Sequence, residues 1–394
     1  MLHRQKSPVM LIFDYVMTET TSMAIYEFTK RLKTKVVGDY ARLRSLNYLI
    51  QKIVLDQATA LVETGRPRLG PDKMALKVLL QEIEALYKAD QKWFASGQLP
   101  LSLLTPEMPV KHWARFAAIF LDGFSILRRR HKRISKEFSA EAKEFLDELP
   151  DYYKRNYHFQ TDGYLSKRSA EFYDHQVDIL FAGATDAMRR LALTPLLEFS
   201  KGRVQSVDLG DVQPSAPVFD RQMGQGLRVL DMACGAGSFT KLLTTIWPKA
   251  HVTGIDLSPQ YLQRARERFI ENRRVDFLQA NAAESPFRDG AFDVITCVFL
   301  FHELPLAERK RVLSEVRRLL KPGGLFVFVD SIQLHDKPKL EEALRQFPKD
   351  FHEPFYRNYI ETPMETLFEV ADLLPQHQST GFLAKCIGAA PTGG

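Results

Sequence analysis

Val229-Leu-Asp-Met-Ala-Cys-Gly-Ala-Gly-Ser-Phe239 decides the fold. An apolar run ending in an acid leads into two glycines one residue apart. The chain there must leave a strand, turn sharply and enter a helix, and Gly235 and Gly237 supply the backbone freedom for it. Amides at the start of the next helix then face whatever lies over the turn. A G-x-G alone is also compatible with a tight turn in a sheet that binds nothing. Dinucleotide-binding sheets carry G-x-G-x-x-G, but the third position here is Thr240. Asp231 ends the strand. A carboxylate beside the turn is a poor neighbour for a pyrophosphate and a good one for an ammonium group. Asp256 closes the following strand, 19 residues after Gly237 (256 − 237). An acid there can accept from both hydroxyls of a ribose. The ligand so described has a ribose, a cationic amino-acid end and no diphosphate.

Working outward, strands are expected at 228–231, 252–256, 275–279, 292–298 and 324–329, with helices at 238–245, 260–272 and 306–320. Short, almost wholly apolar strands alternating with helices mean a parallel sheet covered on both faces. Residues 382–388 read as a closing antiparallel strand at the edge.

Upstream the pattern changes. Apolar residues recur at three- and four-residue spacing over 24–35, 40–63, 73–94, 112–130 and 140–149. Breakers separate them at 65–71, 97–109 and Pro150. Residues 151–164 crowd five aromatics and His158 into fourteen positions. Two helices follow, at 165–181, with Ala170, Tyr173, Val177 and Leu180 along one buried stripe, and at 185–199. Residues 206–226, rich in Gly, Pro and Gln, read as a loop. The expected organisation is an α-helical domain over 1–150, an aromatic segment and helices covering the active site over 151–204, and an α/β domain over 205–394.

The 394 residues are 45% hydrophobic and 26% charged, a globular balance with room for two cores. A net charge of +6 permits an acidic partner without demanding one. The basic run Arg128-Arg-Arg-His-Lys-Arg133 is either the last turn of a helix or a phosphate-facing patch. Three cysteines without a C-x-x-C pair argue for a reducing compartment. With no run long enough to span a bilayer, a cytoplasmic location is expected.

Val229–Gly237 resembles the first motif of the class I S-adenosylmethionine-dependent methyltransferases. Gly254-Ile-Asp-Leu-Ser258 resembles their second motif. Asn281-Ala-Ala-Glu-Ser-Pro-Phe287 is similar to the segment meeting adenine, although Asn281 replaces the usual Asp. Residues 292–304 resemble the fourth strand and its exit, and Leu319-Leu-Lys-Pro-Gly-Gly-Leu325 the turn before the fifth. The resemblance is greatest to the group holding the quinone C-methyltransferases and many small-molecule methyltransferases. It implies a Rossmann-like seven-stranded sheet for the α/β domain over 205–394, and S-adenosyl-L-methionine as cofactor. Asp231 would orient the methionine amino end, and Ala233, Cys234, Gly235 and Gly237 would frame the methionine. Asp256 and Leu257 would hold the ribose side, Asn281 and Ala282 the adenine, and Cys297 and Val298 the pocket floor.

The acceptor side is less determined. Methyl transfer needs in-line positioning first and a base second. Candidate catalytic residues are His302 at the strand-four exit and Tyr164 and His158 of the aromatic segment. For His302, a local hydrogen bond at the start of the next helix is the alternative. For the aromatics, which with Tyr157 and Tyr173 could line an acceptor pocket, it is gluing the helical half to the sheet. Asp330 and His335 follow strand five, but with His302 they match no metal-ligand spacing, and no metal is expected. The absence of Asn-Pro-Pro-Tyr or Asp-Pro-Pro-Tyr after strand four argues against base-amine methylation of nucleic acid. The expected acceptor is therefore a small lipophilic or aromatic molecule. The alternatives are an RNA or protein acceptor docked by the basic helical half, and a nonenzymatic S-adenosylmethionine-binding regulator.

Overall fold

In the computed structural model, which describes residues 8–66, 73–104, 109–204 and 223–393, seven strands form one sheet. They are β1 (Arg228–Met232), β2 (His251–Asp256), β3 (Val275–Gln279), β4 (Phe292–Val298), β5 (Leu320–Ser331), β6 (Leu373–Gly381) and β7 (Ala384–Pro391), in the order β3-β2-β1-β4-β5-β7-β6. β1 to β5 are parallel, and β7 runs antiparallel to both β5 and β6. The helices are α1 (Pro8–Thr64), α2 (Lys73–Ala95), α3 (Pro109–Lys132), α4 (Ala140–Lys143), α5 (Lys167–Leu180), α6 (Thr185–Arg189), α7 (Leu193–Val204), α8 (Ser238–Ile246), α9 (Pro259–Arg268), α10 (Leu306–Leu319), α11 (Glu341–Asp350), α12 (Tyr356–Glu361) and α13 (Met364–Val370).

The central strands are buried on both faces, as their apolar runs require. Leu230, Ile295, Phe326 and Phe328 face a cluster containing α10 and α13 residues such as Val316 and Phe368. Val229, Val294, Val327 and Val329 face the other way. They share one continuous cluster with Ile83, Leu86 and Phe94 of α2 and Leu193, Leu196 and Leu197 of α7. Each fully buried side chain of this size contributes roughly 1.5–3 kcal/mol. The helical half thus packs directly on one sheet face. Arg190 adds a buried bidentate pair to Asp90 of α2, at 2.7 Å for each nitrogen. Cys234, Cys297 and Cys386 are free and buried.

Several expectations need correction. The helices expected at 24–35 and 40–63 are one helix, α1. Gly38 does not break it, because it is where α2 comes close: a Cβ there would lie 2.6 Å from Gln91 Nε2. The helix expected at 140–149 is a single turn, α4, followed by tight turns. The helix expected at 185–199 is divided by a 3-10 turn at Arg190–Ala192. Pro195, unable to donate and clashing with the carbonyl four residues back, can be held only in the first turn of α7. On α5, Tyr173, Val177 and Leu180 are half-buried and Phe172, His175 and Ile179 are buried, because α1 and α3 flank one side and α9 another. The edge strand is β6, which sequence reading missed, and β7 lies inside it. β6 alternates half-buried and exposed positions, with Gln376, Gln378 and Thr380 outward, and Pro375 is tolerated at an edge. The loop expected at 206–226 lies outside the described residues up to 222. The basic run closes α3, where Arg129 is buried and donates to Phe159 O at 2.8 Å and Thr161 Oγ1 at 2.7 Å. No described helix is long and apolar enough to cross a membrane.

Candidate active site

β1 lies between β2 and β4, so crossovers leave it to both sides and a crevice opens at the strand ends. The β1–α8 turn occupies it. Ala233, Gly235 and Gly237 all have positive φ (53, 54 and 77°). For Ala233 that is a strained conformation of the kind that concentrates at ligand sites. A Cβ on Gly235 would meet only Tyr261 Cδ1, at 3.7 Å, so the glycine leaves room over the turn. On Gly237 it would lie 2.9 Å from Phe269 Cε2, so this glycine serves the packing of α8 on α9.

The two acids stand at the strand ends. Asp231 pairs in register with Gly254 and Thr296, and it accepts from Thr296 Oγ1 at 2.9 Å and Thr240 Oγ1 at 2.6 Å. Burial pushes its carboxyl up to about 6 against those two bonds. Asp256 accepts from Gly235 N at 2.9 Å and Ser258 N at 2.8 Å, which ties the two motifs together. Burial raises it too, against those amides. Both are carboxylates that a cationic or hydroxyl-rich ligand would stabilise.

One cavity runs from these acids to an aromatic wall. Of the residues assigned to the donor from the sequence, Asp231, Ala233, Cys234, Gly235, Asp256, Leu257, Ala282 and Val298 line it. Gly237, Asn281 and Cys297 do not line it. Gly237 caps α8, Asn281 Oδ1 accepts from Ala283 N at 2.9 Å, and Cys297 is buried beneath the sheet surface. Tyr164 is in the wall with Tyr152, Tyr157 and Tyr173. Tyr164 stacks on Tyr157 at 5.6 Å and meets Tyr173 and Tyr261 edge-on, at 6.0 and 5.7 Å. The aromatic segment is tied across the strand ends. Ser258 Oγ donates to Tyr164 O at 2.6 Å, and Tyr157 OH donates to Glu303 O at 3.2 Å.

Sequence reasoning missed three polar lining groups. Asp174 and Arg189 precede the sheet by some forty residues or more, on helices with no motif. Ser238, directly after Gly237, joins them by accepting from Arg268 at 2.8 Å and donating to Asp174 at 2.7 Å. The fourth, Glu303, was noticed only as the neighbour of His302. It lines the cavity and accepts from Tyr164 OH at 2.5 Å.

His302 and His158 stand behind Glu303 and do not line the cavity. His302 Nδ1 lies 2.6 Å from Asp330 Oδ1, and Nε2 3.9 Å from Glu303 Oε1. Burial pulls its pKa down, but Asp330 outweighs burial and holds it up at about 9. Burial lifts Glu303 to about 7 against the pull of His302. His158 has a left-handed backbone (φ 52, ψ 19), and burial lowers it to about 3. Two side-chain groups among the described residues could hold a cation. In one of them, His335, Asp336 and Glu365, Lys385 already occupies the place, 3.0 Å from Asp336 and 2.7 Å from Glu365.

Residues 229–324 match the family model described as a methyltransferase domain. An uncharacterised methyltransferase of Synechocystis is 36% identical over 114 residues, 29% of this chain and 51% of its own length. The demethylmenaquinone methyltransferase of Listeria monocytogenes is 37% identical over 112 residues, 28% of this chain and 46% of that one. The chain spans about half the length of the curated relatives it matches. Among solved structures, phosphoethanolamine N-methyltransferase 2 of Haemonchus contortus with S-adenosyl-L-methionine has a TM-score of 0.37 and 17% identity, covering 43% of this chain and 49% of that one. The matched residues 229–324 are a methyltransferase domain.

Proposed function

We propose that the chain transfers the methyl group of S-adenosylmethionine to a small, lipophilic or aromatic acceptor bound in the same cavity. One observation carries this reading. The cavity has a polar end at Asp231, Gly235 and Asp256 and an aromatic end at Tyr152, Tyr157, Tyr164 and Tyr173, and no base-gripping Pro-Pro-Tyr separates them.

The residues at the polar end fit the donor. The open space over Gly235 admits a ligand backbone, and the buried Asp231 carboxylate lacks the cation that an amino-acid end provides. In this reading Asp231 holds the donor's ammonium and Arg189 its carboxylate. Asp256 accepts from the ribose hydroxyls. Leu257, Ala282 and Val298 enclose the adenine, with Asn281 and Cys297 shaping that wall from behind. When bound, the donor supplies a methyl group already activated on a sulfonium. The chain must therefore exclude water and aim the acceptor. The tyrosines do this by burying the acceptor's apolar face. Glu303 and Tyr164 are the polar groups that can receive a hydrogen bond or proton from it, with His302 and His158 placed behind them. Residues 151–204 act as the cover, 1–150 as its support, and 205–394 as the transfer domain.

Calorimetry with S-adenosylmethionine and its demethylated product tests the donor half. Absence of heat with both, alongside binding of a nicotinamide dinucleotide, would sink it. The acceptor half is tested with labelled donor and cell extract separated into lipid, small-molecule, RNA and protein fractions. Label is expected in the organic-soluble or small-molecule fraction. Label only in RNA or protein would overturn the acceptor assignment.

A further inference from the structure

Behind Glu303 lies a cluster that methyl transfer as described does not require. His158 comes from the turn at Tyr157–Phe159, Glu303 from the turn after β4, and Glu353 from the segment between α11 and α12. One ligating atom of each lies within 4.8 Å of the other two. His158 Nε2 is 3.1 Å from Glu353 Oε1 and 3.9 Å from Glu303 Oε1. Two ligands each about 2.1 Å from a shared ion, at angles between octahedral and tetrahedral, stand about 3.0–3.5 Å apart. The spacing is close to what one ion needs.

Glu353 supplies the second observation. Its side chain is 0% exposed, and neither carboxylate oxygen has a hydrogen-bond partner among the described residues. His158 Nε2 is near Oε1 but misdirected for a hydrogen bond. Buried carboxylates are otherwise paired or bound to metal, because leaving one bare forfeits its hydration without return. Nearby, Asp330 is a further fully buried carboxylate, held by His302 Nδ1 and Phe301 N. Three buried acids thus face two imidazoles, and no Lys or Arg is paired with Glu303 or Glu353 in the described contacts. The surrounding rings, Phe347 at 6.4 Å and Phe351 at 5.9 Å from His158, keep the cluster dry.

We propose that His158, Glu303 and Glu353 bind a single first-row divalent metal cation, Mn2+ or Zn2+, behind the aromatic end of the cavity. One imidazole with two carboxylates suits these ions better than Ca2+, which takes more oxygen ligands. Glu303 is the one of the three ligands that also lines the cavity, so the ion's open positions would reach the acceptor space on that side. They would take an acceptor oxygen, that of a phenol or enol. This last step rests on the methyltransferase reading, whereas cation binding does not.

The test uses the full chain, freed of metal by chelator and dialysis. MnCl2 is titrated with free Mn2+ read by electron paramagnetic resonance, and ZnCl2 by calorimetry. The expected result is one saturable ion per chain, weakened at least about tenfold by Glu353→Gln. Cooperative thermal unfolding checks that the variant folds. Should it not, His158→Asn takes its place, since asparagine tolerates the left-handed backbone. No saturable binding below millimolar metal, or affinity unchanged in the folded variant, overturns the site. S-adenosylhomocysteine binding is measured in parallel. Ion binding without it leaves the cation site standing and removes the methyltransferase reading, and the reverse result removes the cation site alone.

Discussion

Asp256→Ala separates the donor end of the cavity from the acceptor end. The carboxylate accepts from two backbone amides, Gly235 N and Ser258 N, and its free lone pairs face the cavity. Hydrogen bonds to a charged acceptor are worth about 1.5–3 kcal/mol each. Two ribose hydroxyls lost at the lower end of that range amount to about 3 kcal/mol, or about 100-fold in affinity. Water can enter the cavity and take up the hydroxyls, so the lower end is the appropriate one. Gly235 N and Ser258 N lose their acceptor as well, which loosens the turn. Asp256→Asn keeps one acceptor oxygen but sets an amide NH2 against one of those N–H groups, so it should fall between wild type and alanine. His302→Ala removes a side chain that is 12% exposed and outside the cavity lining, and it should change donor affinity by no more than about threefold. Calorimetric titration of S-adenosylhomocysteine into the three variants and wild type, each checked by thermal unfolding, reads the difference. Equal losses in Asp256→Ala and His302→Ala, or an unchanged Kd in a folded Asp256→Ala, would refute the division of the cavity.

Three further outcomes are expected. Asp231, raised by burial to about 6, binds more protons folded than unfolded between its ordinary value of 3.8 and 6, so its contribution to stability falls as pH rises through that window. A bound ammonium favours the charged form, so donor affinity should rise from pH 5 to 7; a flat profile in calorimetry would show that Asp231 does not meet the amino end. Asp90→Ala leaves Arg190, 9% exposed, charged and unpaired, and should cost about 3–5 kcal/mol by denaturant unfolding, while a loss under 1 kcal/mol would mean that water or another group replaces the pair. Residues 223–394 expressed alone expose Leu325, Val327 and Val329 where α2 and α7 pack, so the fragment should aggregate or unfold without cooperativity, and full activity from it would show that the helical half is an appendage.

The sheet and its donor end were legible in the sequence because they are written in neighbouring residues. A parallel strand buried on both faces must be an apolar run, and a turn with three alternate positive-φ positions, two of them glycine, leaves G-x-G behind. Asp231 and Asp256 were identified because each ends its own strand, so register alone carries them to the crevice. β6 escaped notice because an edge strand with one solvated face has no such run. The long α1 was read as two helices, 24–35 and 40–63, because the residues between them were assigned to neither, whereas Gly38 sits there as continuous helix against α2.

The aromatic end of the cavity, and the helix residues that complete its polar end, were decided by tertiary structure. Asp174 and Arg189 reach the cavity from helices whose periodicity reports only their buried faces. The pairing of Glu303 with Tyr164 spans 139 positions, and His158 meets Glu353 across 195 (353 − 158). A carboxyl buried without a hydrogen-bond partner has no local sequence mark, since Glu353 looks like any surface acid in the run Phe351-His-Glu-Pro354. Only packing removes its water, and only the lack of a hydrogen-bond partner among the described residues turns it into a candidate ligand. Local propensity and strand register thus write the strand-end acids and the glycine turn into the sequence, while desolvation between distant segments creates the rest of the cavity.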